Sequence, residues 1–288
     1  MLGNHRKGWT LVTGATGGLG SALVAKLLAN GHRVIAAARR PETLPGDKGS
    51  GLLRTIQLDL GDTSSIVEAT RSIGQIVGSD GLSGLVNMAG VIVEGPLEAL
   101  PLSELQRQLA INVVGPFALT QSLLPLLKAS RGTVVNIGAI SAHITVPFYG
   151  PIAASKAALA ALNDAMRMEF AQHGIAVFLI EPGAMKTNIF STSRAARDAA
   201  LAKSPELERR YRPALTAMDR AFEKAGADDP QVVVNAILAA LSRSKSRPRV
   251  VVGKGTGVLL MLSHLPDSLR DRMVKNALGL GTALRSTV

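Results

Sequence analysis

Residues 9–20 read WTLVTGATGGLG, and this stretch decides the fold. A buried apolar run leads directly into a glycine-rich turn, and the apolar spacing of a helix begins where the turn ends. Glycine allows the backbone to approach a pyrophosphate closely, while the start of the helix offers unpaired N–H groups and a positive dipole end. The stretch therefore predicts a phosphate-binding turn of the kind that holds a dinucleotide. The residues predicted to contact the cofactor here are Gly14, Thr16, Gly18, Leu19 and Gly20.

The alternation of a strand and a helix continues along the chain. Six further runs are continuously apolar, as expected for strands covered on both faces: HRVIAAA, LRTIQLD, SGLVNMAG, GTVVNIG, IAVFLIEPG and RVVVG. Amphipathic stretches of helical length separate them, among them residues 102–130, 154–174 and 228–243. Repeated strand–helix–strand units predict an α/β fold, a Rossmann-type doubly wound parallel sheet of about seven strands. No internal repeat or low-complexity linker is visible, so residues 1–288 are predicted to form a single domain.

Two segments depart from this alternation. Residues 186–226 form a polar, arginine-rich and helical insertion after the sixth strand, where it would cover a ligand crevice at the carboxyl ends of the strands. Residues 256–288 form an apolar and then basic amphipathic tail. A helix that packs on the core or on another subunit is the favoured interpretation of this tail, and contact with a membrane surface is the less favoured one.

Composition excludes several classes of protein. Among 288 residues, 47% are apolar and 18% are charged, which is enough to bury a large core. The chain has no Cys, so disulfide scaffolds, thiol nucleophiles and cysteine-built metal centres are excluded, and no metal is expected. Neither a leader-like apolar run nor a stretch long enough to cross a bilayer is visible, so we expect a cytoplasmic protein.

Positive charge is concentrated in the last third of the chain. Residues 1–185 carry 14 Lys and Arg against 12 Asp and Glu, whereas residues 186–288 carry 18 against 9. A nucleic-acid site would add stacking aromatic residues, but the basic segment has only Phe190, Tyr211 and Phe222, so no nucleic-acid partner is expected. A solvated basic face, or a rim that attracts an anionic substrate or carrier, is favoured.

Four further motifs follow the turn in the order of a known family. They are Val86-Asn87-Met88-Ala89-Gly90, Asn112 within a helix, Ala154-Ser155-Lys156, and Pro182-Gly183 followed by Thr187. Together with the TGxxxGxG turn, they resemble the short-chain dehydrogenase/reductase family over residues 8–255. The resemblance implies that Asn112 and Lys156 belong to a catalytic frame. It also implies that a nicotinamide cofactor contacts Asn87, Ala89, Gly90, Lys156, Pro182, Gly183 and Thr187.

The end of the second predicted strand indicates which cofactor is bound. Arg39 and Arg40 stand where a preference for NAD would favour an acidic residue against the ribose 2′-hydroxyl. A guanidinium group can instead form charge-assisted hydrogen bonds with a 2′-phosphate. We therefore predict NADP(H), held mainly by Arg39. By resemblance, Asp59 lies against the adenine, with Leu60 beside it.

Two of the four catalytic side chains of the family are missing. In the family, Tyr protonates a carbonyl oxygen, Ser helps to hold the substrate, Lys binds the nicotinamide ribose and lowers the Tyr pKa, and Asn completes the set. The Tyr stands four residues before Lys, where this chain has Ile152, and the Ser stands thirteen residues before the Tyr, where it has Ala139. A positioned general acid contributes about 10²–10⁴ in rate, so reduction of an ordinary ketone should suffer most.

Three interpretations of this loss stay open. In the first, the protein is an NADPH-dependent reductase of a small carbonyl or conjugated enone substrate, and another acid substitutes. Tyr149 precedes Lys156 by seven residues, a spacing similar to that of enoyl reductases, while Ser141 and His143 are weaker candidates. In the second, the fold binds NADP(H) but catalyses a non-redox cyclisation or isomerisation. In the third, it is a non-catalytic NADPH-binding protein.

Apolar residues around the predicted crevice indicate an apolar substrate. Ala139 and Ile152 would shape the pocket together with Val91, Phe148 and Met185. The helices that contain Asn112 and Lys156 are long and apolar, and proteins of the family often associate through them. We therefore expect a homo-oligomer.

Overall fold

The computed structural model describes residues 8–44, 46, 49–243 and 247–283. Its strands are β1 (Trp9–Thr13), β2 (Arg33–Ala38), β3 (Leu53–Gln57), β4 (Leu82–Asn87), β5 (Thr133–Ile137), β6 (Ala176–Pro182) and β7 (Arg249–Val252). Every neighbouring pair is parallel, and the spatial order is β3-β2-β1-β4-β5-β6-β7. The chain winds outward from β1 in one direction and from β4 in the other, which confirms the doubly wound sheet.

Helices connect the strands and cover both faces of the sheet. They are α1 (Gly18–Ala29), α2 (Thr63–Val77), α3 (Leu102–Leu109), α4 (Gly115–Ser122), α5 (Leu124–Ser130), α6 (Gly150–Phe170), α7 (Ile189–Leu201), α8 (Pro205–Ala225), α9 (Gln231–Leu241), α10 (Thr256–Leu262), α11 (Asp267–Ala277) and α12 (Leu280–Ala283). One core cluster joins the sheet to α2, α4, α5 and α6, and a second joins it to α1 and α9. Because both faces are covered, the strands are apolar without alternation.

The helix predicted over residues 102–130 is divided into three in the structure. α3 passes into a π-helical turn over residues 110–114, and a break at Leu123 separates α4 from α5. Pro125 lies in the first turn of α5, and its ring is disfavoured deeper inside a helix, which is consistent with a new start at this point. The apolar spacing continues across both interruptions, so the sequence pattern did not reveal them.

α6 begins at Gly150, four residues before the predicted start at residue 154. Pro151 occupies the first turn, where the missing N–H group costs nothing. Tyr149 is consequently the N-cap residue, directly before the helix that carries Lys156.

The insertion consists of α7 and α8, and it packs over the start of α6. Leu215 and Met218 of α8 are fully buried in a third apolar cluster that also contains Phe148, Tyr149 and Ile152. This cluster lies apart from the two clusters of the sheet.

The tail forms α10, α11 and α12, and its buried Leu278 and Leu280 join the cluster under the insertion. The outer parts of the predicted domain, residues 1–7 and 284–288, lie outside the described residues. In the part of the chain that the structure describes, no single helix is long and apolar enough to span a membrane. The helical segments Leu102–Ser122 and Leu124–Ser130 meet at an angle of 56°. Taken together, they are long and apolar enough for a span by length and composition only.

Candidate functional site

The glycine-rich turn between β1 and α1 has no room for a side chain at Gly14 or Gly20. Gly14 has a φ of +67°, and a Cβ atom there would lie 2.8 Å from the Cα atom of Ala89. A Cβ atom on Gly20 would lie 2.2 Å from the carbonyl oxygen of Gly14. Gly17 precedes α1 and provides no side-chain cap, so the first N–H groups of the helix stay open to a ligand. This backbone cradle fits a phosphate group.

The segment after β6 forms the opposite wall of the crevice. A Cβ atom on Gly18 would lie 3.4 Å from Cγ2 of Thr187. Pro182 ends β6, and the N–H group of Gly183 donates to the carbonyl oxygen of Val252 at 2.9 Å. Thr187 therefore faces the turn, while Pro182 and Gly183 lie at the carboxyl end of β6, the edge of the sheet at which a doubly wound fold binds its ligand.

Thr13 ties the ends of β1 and β4 together. Its hydroxyl oxygen accepts hydrogen bonds from the N–H groups of Met88 at 2.9 Å and Ala89 at 3.0 Å, and its proton is donated to Val86 O at 3.3 Å. The start of the loop after β4, which contains Ala89 and Gly90, is thereby held against the glycine turn.

The side chain of Asn87 connects three elements instead of facing the crevice openly. It is 3% exposed, and its Nδ2 donates to Thr120 Oγ1 at 3.0 Å and to Asn136 Oδ1 at 2.8 Å. Asn136 in turn donates to Asn163 Oδ1 at 3.0 Å. These bonds give the Asn87 side chain a framework role, and its contact with a cofactor stays a prediction.

The predicted adenine end of the crevice carries exposed cations. Arg39 and Arg40 are exposed directly after β2. Asp59 Oδ1 accepts the N–H group of Gly61 at 2.9 Å, which shapes the turn after β3. Leu60 is buried. The exposed guanidinium groups at the end of β2 fit a 2′-phosphate.

Asn112 lies on the π-helical turn and clamps the loop that follows β4. Its Oδ1 accepts the N–H group of Val91 at 2.9 Å, while its Nδ2 donates to the carbonyl oxygen of Val91 at 2.9 Å. A Cβ atom on Gly90 would lie 3.3 Å from the same Oδ1. Since both ends of the amide are occupied, Asn112 acts as a positioning residue for the loop.

Gln108 forms a second clamp that the sequence analysis missed. Its Oε1 accepts the N–H group of Val93 at 2.6 Å, and its Nε2 donates to Val91 O at 2.7 Å and to Ser155 Oγ at 3.2 Å. Gln108 and Asn112 are four residues apart and share one helical face, and both donate to Ser155. A pair of amides at this spacing on an otherwise apolar face was the signal available in the sequence.

Lys156 stands one residue after Ser155, at the crevice side of α6. Its Nζ donates to the carbonyl oxygen of Ile137 at 2.7 Å, at the end of β5. Burial lowers the pKa of Lys156 to about 8, so the ammonium form still predominates at neutral pH. The side chain is thus fixed at the strand ends with further donor protons free to bind a ligand.

No proton donor occupies the position one helical turn before Lys156. Ile152 is there, 6% exposed and packed in the apolar cluster under α8. Ala139 is extended just after β5 and supplies no hydroxyl group. The structure therefore places both substituted positions next to the intact part of the frame.

Tyr149 is the predicted substitute donor, and its surroundings oppose that role. The ring is 6% exposed and packs edge-to-face on Phe222, with 5.5 Å between centroids. Burial, followed by the neighbouring Glu94, raises the pKa of the Tyr149 hydroxyl far above its usual value. A lysine would lower that pKa, but Lys156 is not among the groups that act on this hydroxyl. Proton donation by Tyr149 stays a prediction, with the electrostatics against it.

The predicted pocket residues separate into two groups. Phe148 and Ile152 share the cluster under the insertion, and the N–H group of Gly95 donates to Phe148 O at 2.8 Å. Met185 instead packs in the cluster on the α1 and α9 face, because its backbone pairs with Asp228 beside α9. Met185 thus belongs to a different apolar cluster from the other two, and its place in a substrate pocket stays a prediction.

Comparison with known proteins agrees with the geometry of the crevice. The family model described as short chain dehydrogenase matches residues 8–198. The NADPH-dependent 3-dehydrocapnine reductase of Ornithobacterium rhinotracheale is 32% identical over 275 residues, which cover 92% of this chain and 95% of that protein. Retinol dehydrogenase 16 of Homo sapiens is 31% identical over 286 residues, which cover 95% of this chain and 90% of that protein. The chain belongs to the short-chain dehydrogenase family.

A solved structure supports the same assignment. The short-chain dehydrogenase from Streptomyces avermitilis superposes with a TM-score of 0.71 at 29% identity, covering 96% of this chain and 99% of that one. The expected family, the fold and the oxidoreductase class are therefore confirmed.

Within this short-chain dehydrogenase, the weaker candidates Ser141 and His143 have other surroundings. His143 Nε2 lies 3.0 Å from Glu181 Oε1 and 3.1 Å from Arg249 Nη2. Glu181 is fully buried, and Arg249 Nε donates to its Oε2 at 2.6 Å. This ion-pair group joins β6, β7 and the loop after β5. His143 therefore has a structural role that does not require proton donation to a substrate. The hydroxyl oxygen of Ser141 is buried and has no hydrogen-bond partner.

Proposed function

We propose that this short-chain dehydrogenase is an NADPH-dependent reductase of a small carbonyl or conjugated enone compound, with a proton donor different from that of its family. One observation carries the proposal. Lys156, held at 2.7 Å from Ile137 O, keeps the position of the family lysine, while Ile152 fills the position of the missing acid. The side chain that binds is retained, and the side chain that protonates is replaced.

NADP(H) is the cofactor that the residues and the relatives support. The glycine turn fits a pyrophosphate, and Arg39 and Arg40 fit a 2′-phosphate. One relative carries NADPH dependence in its name, and it matches 92% of this chain. When bound, the cofactor supplies hydride from its nicotinamide ring.

Each residue of the frame has a defined task in this proposal. The Lys156 ammonium group offers its free protons to a ribose hydroxyl or to a water molecule at the strand ends. Asn112 and Gln108 hold the backbone of Val91 and Val93, so they fix the wall of the crevice. Ile152 excludes water from its side of the pocket.

The missing acid favours a conjugated alkene over a simple ketone. Reduction of a ketone places negative charge on oxygen, and a donor there is worth about 10²–10⁴ in rate. Reduction of a conjugated alkene delivers hydride to carbon and spreads the charge over an enolate, which a more distant donor or water can protonate. We therefore infer that turnover of a conjugated enone exceeds that of the matched saturated ketone.

Stoichiometry tests the proposal. Purified protein is incubated with NADPH deuterated on its nicotinamide ring and with paired enones and ketones. The amount of product formed is then compared with the amount of NADPH oxidised. We expect the two amounts to be equal and the product to contain deuterium. Product formed without oxidation of NADPH would contradict the proposal. That result would establish the second candidate, a non-redox cyclisation or isomerisation, which the absence of a donor at Ile152 and Ala139 favours.

We also propose a homo-oligomer that associates through α4 and α6. The observations in its favour are exposed apolar side chains on these helices and on the turn before α4: Val114 of the turn is 60% exposed, Phe117 of α4 is 36% exposed and Met168 of α6 is 64% exposed. Light scattering of the purified protein should give a mass of at least two chains, and a monomer at micromolar concentration would contradict this.

A further inference from the structure

Unpartnered polar atoms are concentrated beneath the insertion. Among the described residues, eight buried side-chain nitrogen and oxygen atoms have no hydrogen-bond partner. Five of them belong to four neighbouring residues: both carboxylate oxygens of Glu94, the hydroxyl groups of Tyr149 and Ser193, and Nε of Arg194. Folded proteins leave few buried polar atoms unpaired, so a group of them next to a crevice indicates a missing partner.

The four residues come together from three separate parts of the chain. Glu94 follows Val93 in the clamped loop, Tyr149 caps α6, and Ser193 and Arg194 lie on α7. The hydroxyl groups of Tyr149 and Ser193 act as hydrogen-bond donors toward the Glu94 carboxyl group and partly offset the rise in its pKa that burial causes, although neither reaches the geometry of a complete hydrogen bond. The group therefore lies between the loop after β4, the start of α6 and the insertion.

Arg197 forms a buried ion pair with Glu94 but does not use all of its acceptor capacity. Its Nη1 lies 3.1 Å from Glu94 Oε1, and the same guanidinium group also donates hydrogen bonds to two other carboxylates. Nη1 and Nη2 donate to Asp219 at 3.2 and 2.8 Å, and Nε donates to Asp198 at 3.0 Å. With its positive charge shared among three carboxylates, Arg197 leaves both oxygens of Glu94 able to accept further hydrogen bonds.

Burial makes this arrangement costly unless a ligand completes it. The Glu94 side chain is fully buried, and desolvation raises the pKa of its carboxyl group. A buried polar atom that lacks a hydrogen-bond partner destabilises the folded protein. A donor group that enters this site would recover that free energy, which is a common source of specificity in binding sites.

We propose that Glu94, together with Tyr149 and Ser193, is a polar subsite that accepts a hydrogen-bond-donating substituent of the substrate, either a hydroxyl or a protonated amino group. The proposal rests on the reductase function above and narrows its substrate class. The pocket then has apolar walls at Phe148 and Ile152 and one polar anchor. This changes the expectation of a uniformly apolar substrate.

A ratio of specificity constants tests the subsite. Matched ketones or enones with and without a hydroxyl or amino substituent are compared by kcat/KM in the wild type and in Glu94→Gln. The preference of the wild type for the substituted compound should fall at least tenfold in the variant. Glu104→Gln, which changes a partly exposed carboxylate on α3 that pairs with Arg107, is the matched control and should keep the wild-type ratio. A wild-type ratio near one, or a ratio unchanged by Glu94→Gln, would overturn the proposal.

Further variants keep the test decisive if Glu94→Gln does not fold. Tyr149→Phe and Ser193→Ala each remove one hydroxyl group and should lower the same ratio. If Tyr149 is instead the proton donor, Tyr149→Phe slows both compounds equally and the ratio stays constant, which contradicts its role in the subsite. If the kcat/KM preference falls more for the amino compound than for the hydroxyl compound, the subsite binds a cationic group. If it falls equally for both, the subsite binds a neutral hydrogen-bond donor.

Calorimetry tests the subsite proposal independently of the proposed reductase activity. The wild type and Glu94→Gln are titrated with the amino or hydroxyl compound in the presence of NADPH, with no turnover required. Weaker binding to the variant supports the subsite even if no compound is reduced. Turnover of the unsubstituted compounds, with no difference in binding between the two proteins, leaves the reductase intact and rejects the subsite.

Discussion

Ile152 and Lys156 lie one helical turn apart on α6, and their contrast is the central feature of the site. Lys156 is fixed at Ile137 O, whereas Ile152 lies against the apolar side chains of the insertion. Simple counting along the sequence was enough to predict this contrast, because four residues correspond to one helical turn. The clustering of Glu94 with Tyr149 could not be predicted that way, since its partners on α6 and α7 are distant in the chain.

Restoring a hydroxyl group at position 152 should increase reduction of a simple ketone. Ile152→Tyr places a phenol one turn before Lys156, where the ammonium group would lower its pKa. We expect turnover with a ketone to rise about 10-fold or more, since a positioned acid contributes about 10²–10⁴. Steady-state kinetics with NADPH provide the measurement. Ile152→Phe is the control, because it adds the ring without the hydroxyl group, and an equal effect of both variants would refute the prediction.

Lys156 should make cofactor binding depend on pH. As pH rises through about 8, its ammonium group loses a proton, so the affinity for NADPH should fall. The effect on stability has the opposite sign. The folded-state pKa of Lys156 lies below its usual value of 10.5, so the charged form weakens the fold below pH 8, and this penalty disappears between about pH 8 and 10.5.

Calorimetry and urea unfolding from pH 7 to about 9.5 measure both effects of Lys156. Lys156→Met should bind NADPH weakly at every pH and should lack the increase in unfolding free energy. An affinity of the wild type that stays constant across this range would show that the Lys156 charge does not contribute to binding.

At the level of elements, the strands were predictable and the interruptions of helices were not. A strand buried on both faces is continuously apolar, and each of the seven runs marked one strand. The π-helical turn at residues 110–114 leaves apolar spacing nearly unchanged, so periodicity alone does not reveal it. Asn112 on this turn and Gln108 on the preceding α3 both hold the loop after β4 with their side-chain amides.

Removing the Gln108 clamp should destabilise the fold. Gln108→Ala leaves the N–H group of Val93 without its partner and removes a donor to Val91 O, at a cost of about 1–3 kcal/mol. Urea unfolding measures this loss. Gln106→Ala, an exposed glutamine of the same helix, should change stability by less than about 0.5 kcal/mol. Similar losses in both variants would mean that Gln108 contributes only through helix propensity.

For the whole molecule, charge in the last third of the chain is organised by pairing. On the insertion, Arg197, Arg210 and Arg212 each contact at least two carboxylates, and Arg194 contacts Asp219 and Glu223. Composition revealed the excess of cations but not these pairs, because several of them join α7 to α8 or join the insertion to the segment after β4. The insertion is thus held over the start of α6 by ion pairs as well as by apolar packing.

Selective binding of NADPH is the condition on which every residue role in this account depends. Calorimetric titration of the wild type with NADPH and with NADH tests it most directly, with Arg39→Ala as the cofactor-site variant and the exposed Arg71→Ala as its control. We predict micromolar binding of NADPH, at least tenfold tighter than that of NADH, and a preference that Arg39→Ala removes while Arg71→Ala retains it. Equal affinities for the two cofactors, or binding of neither, would contradict the account.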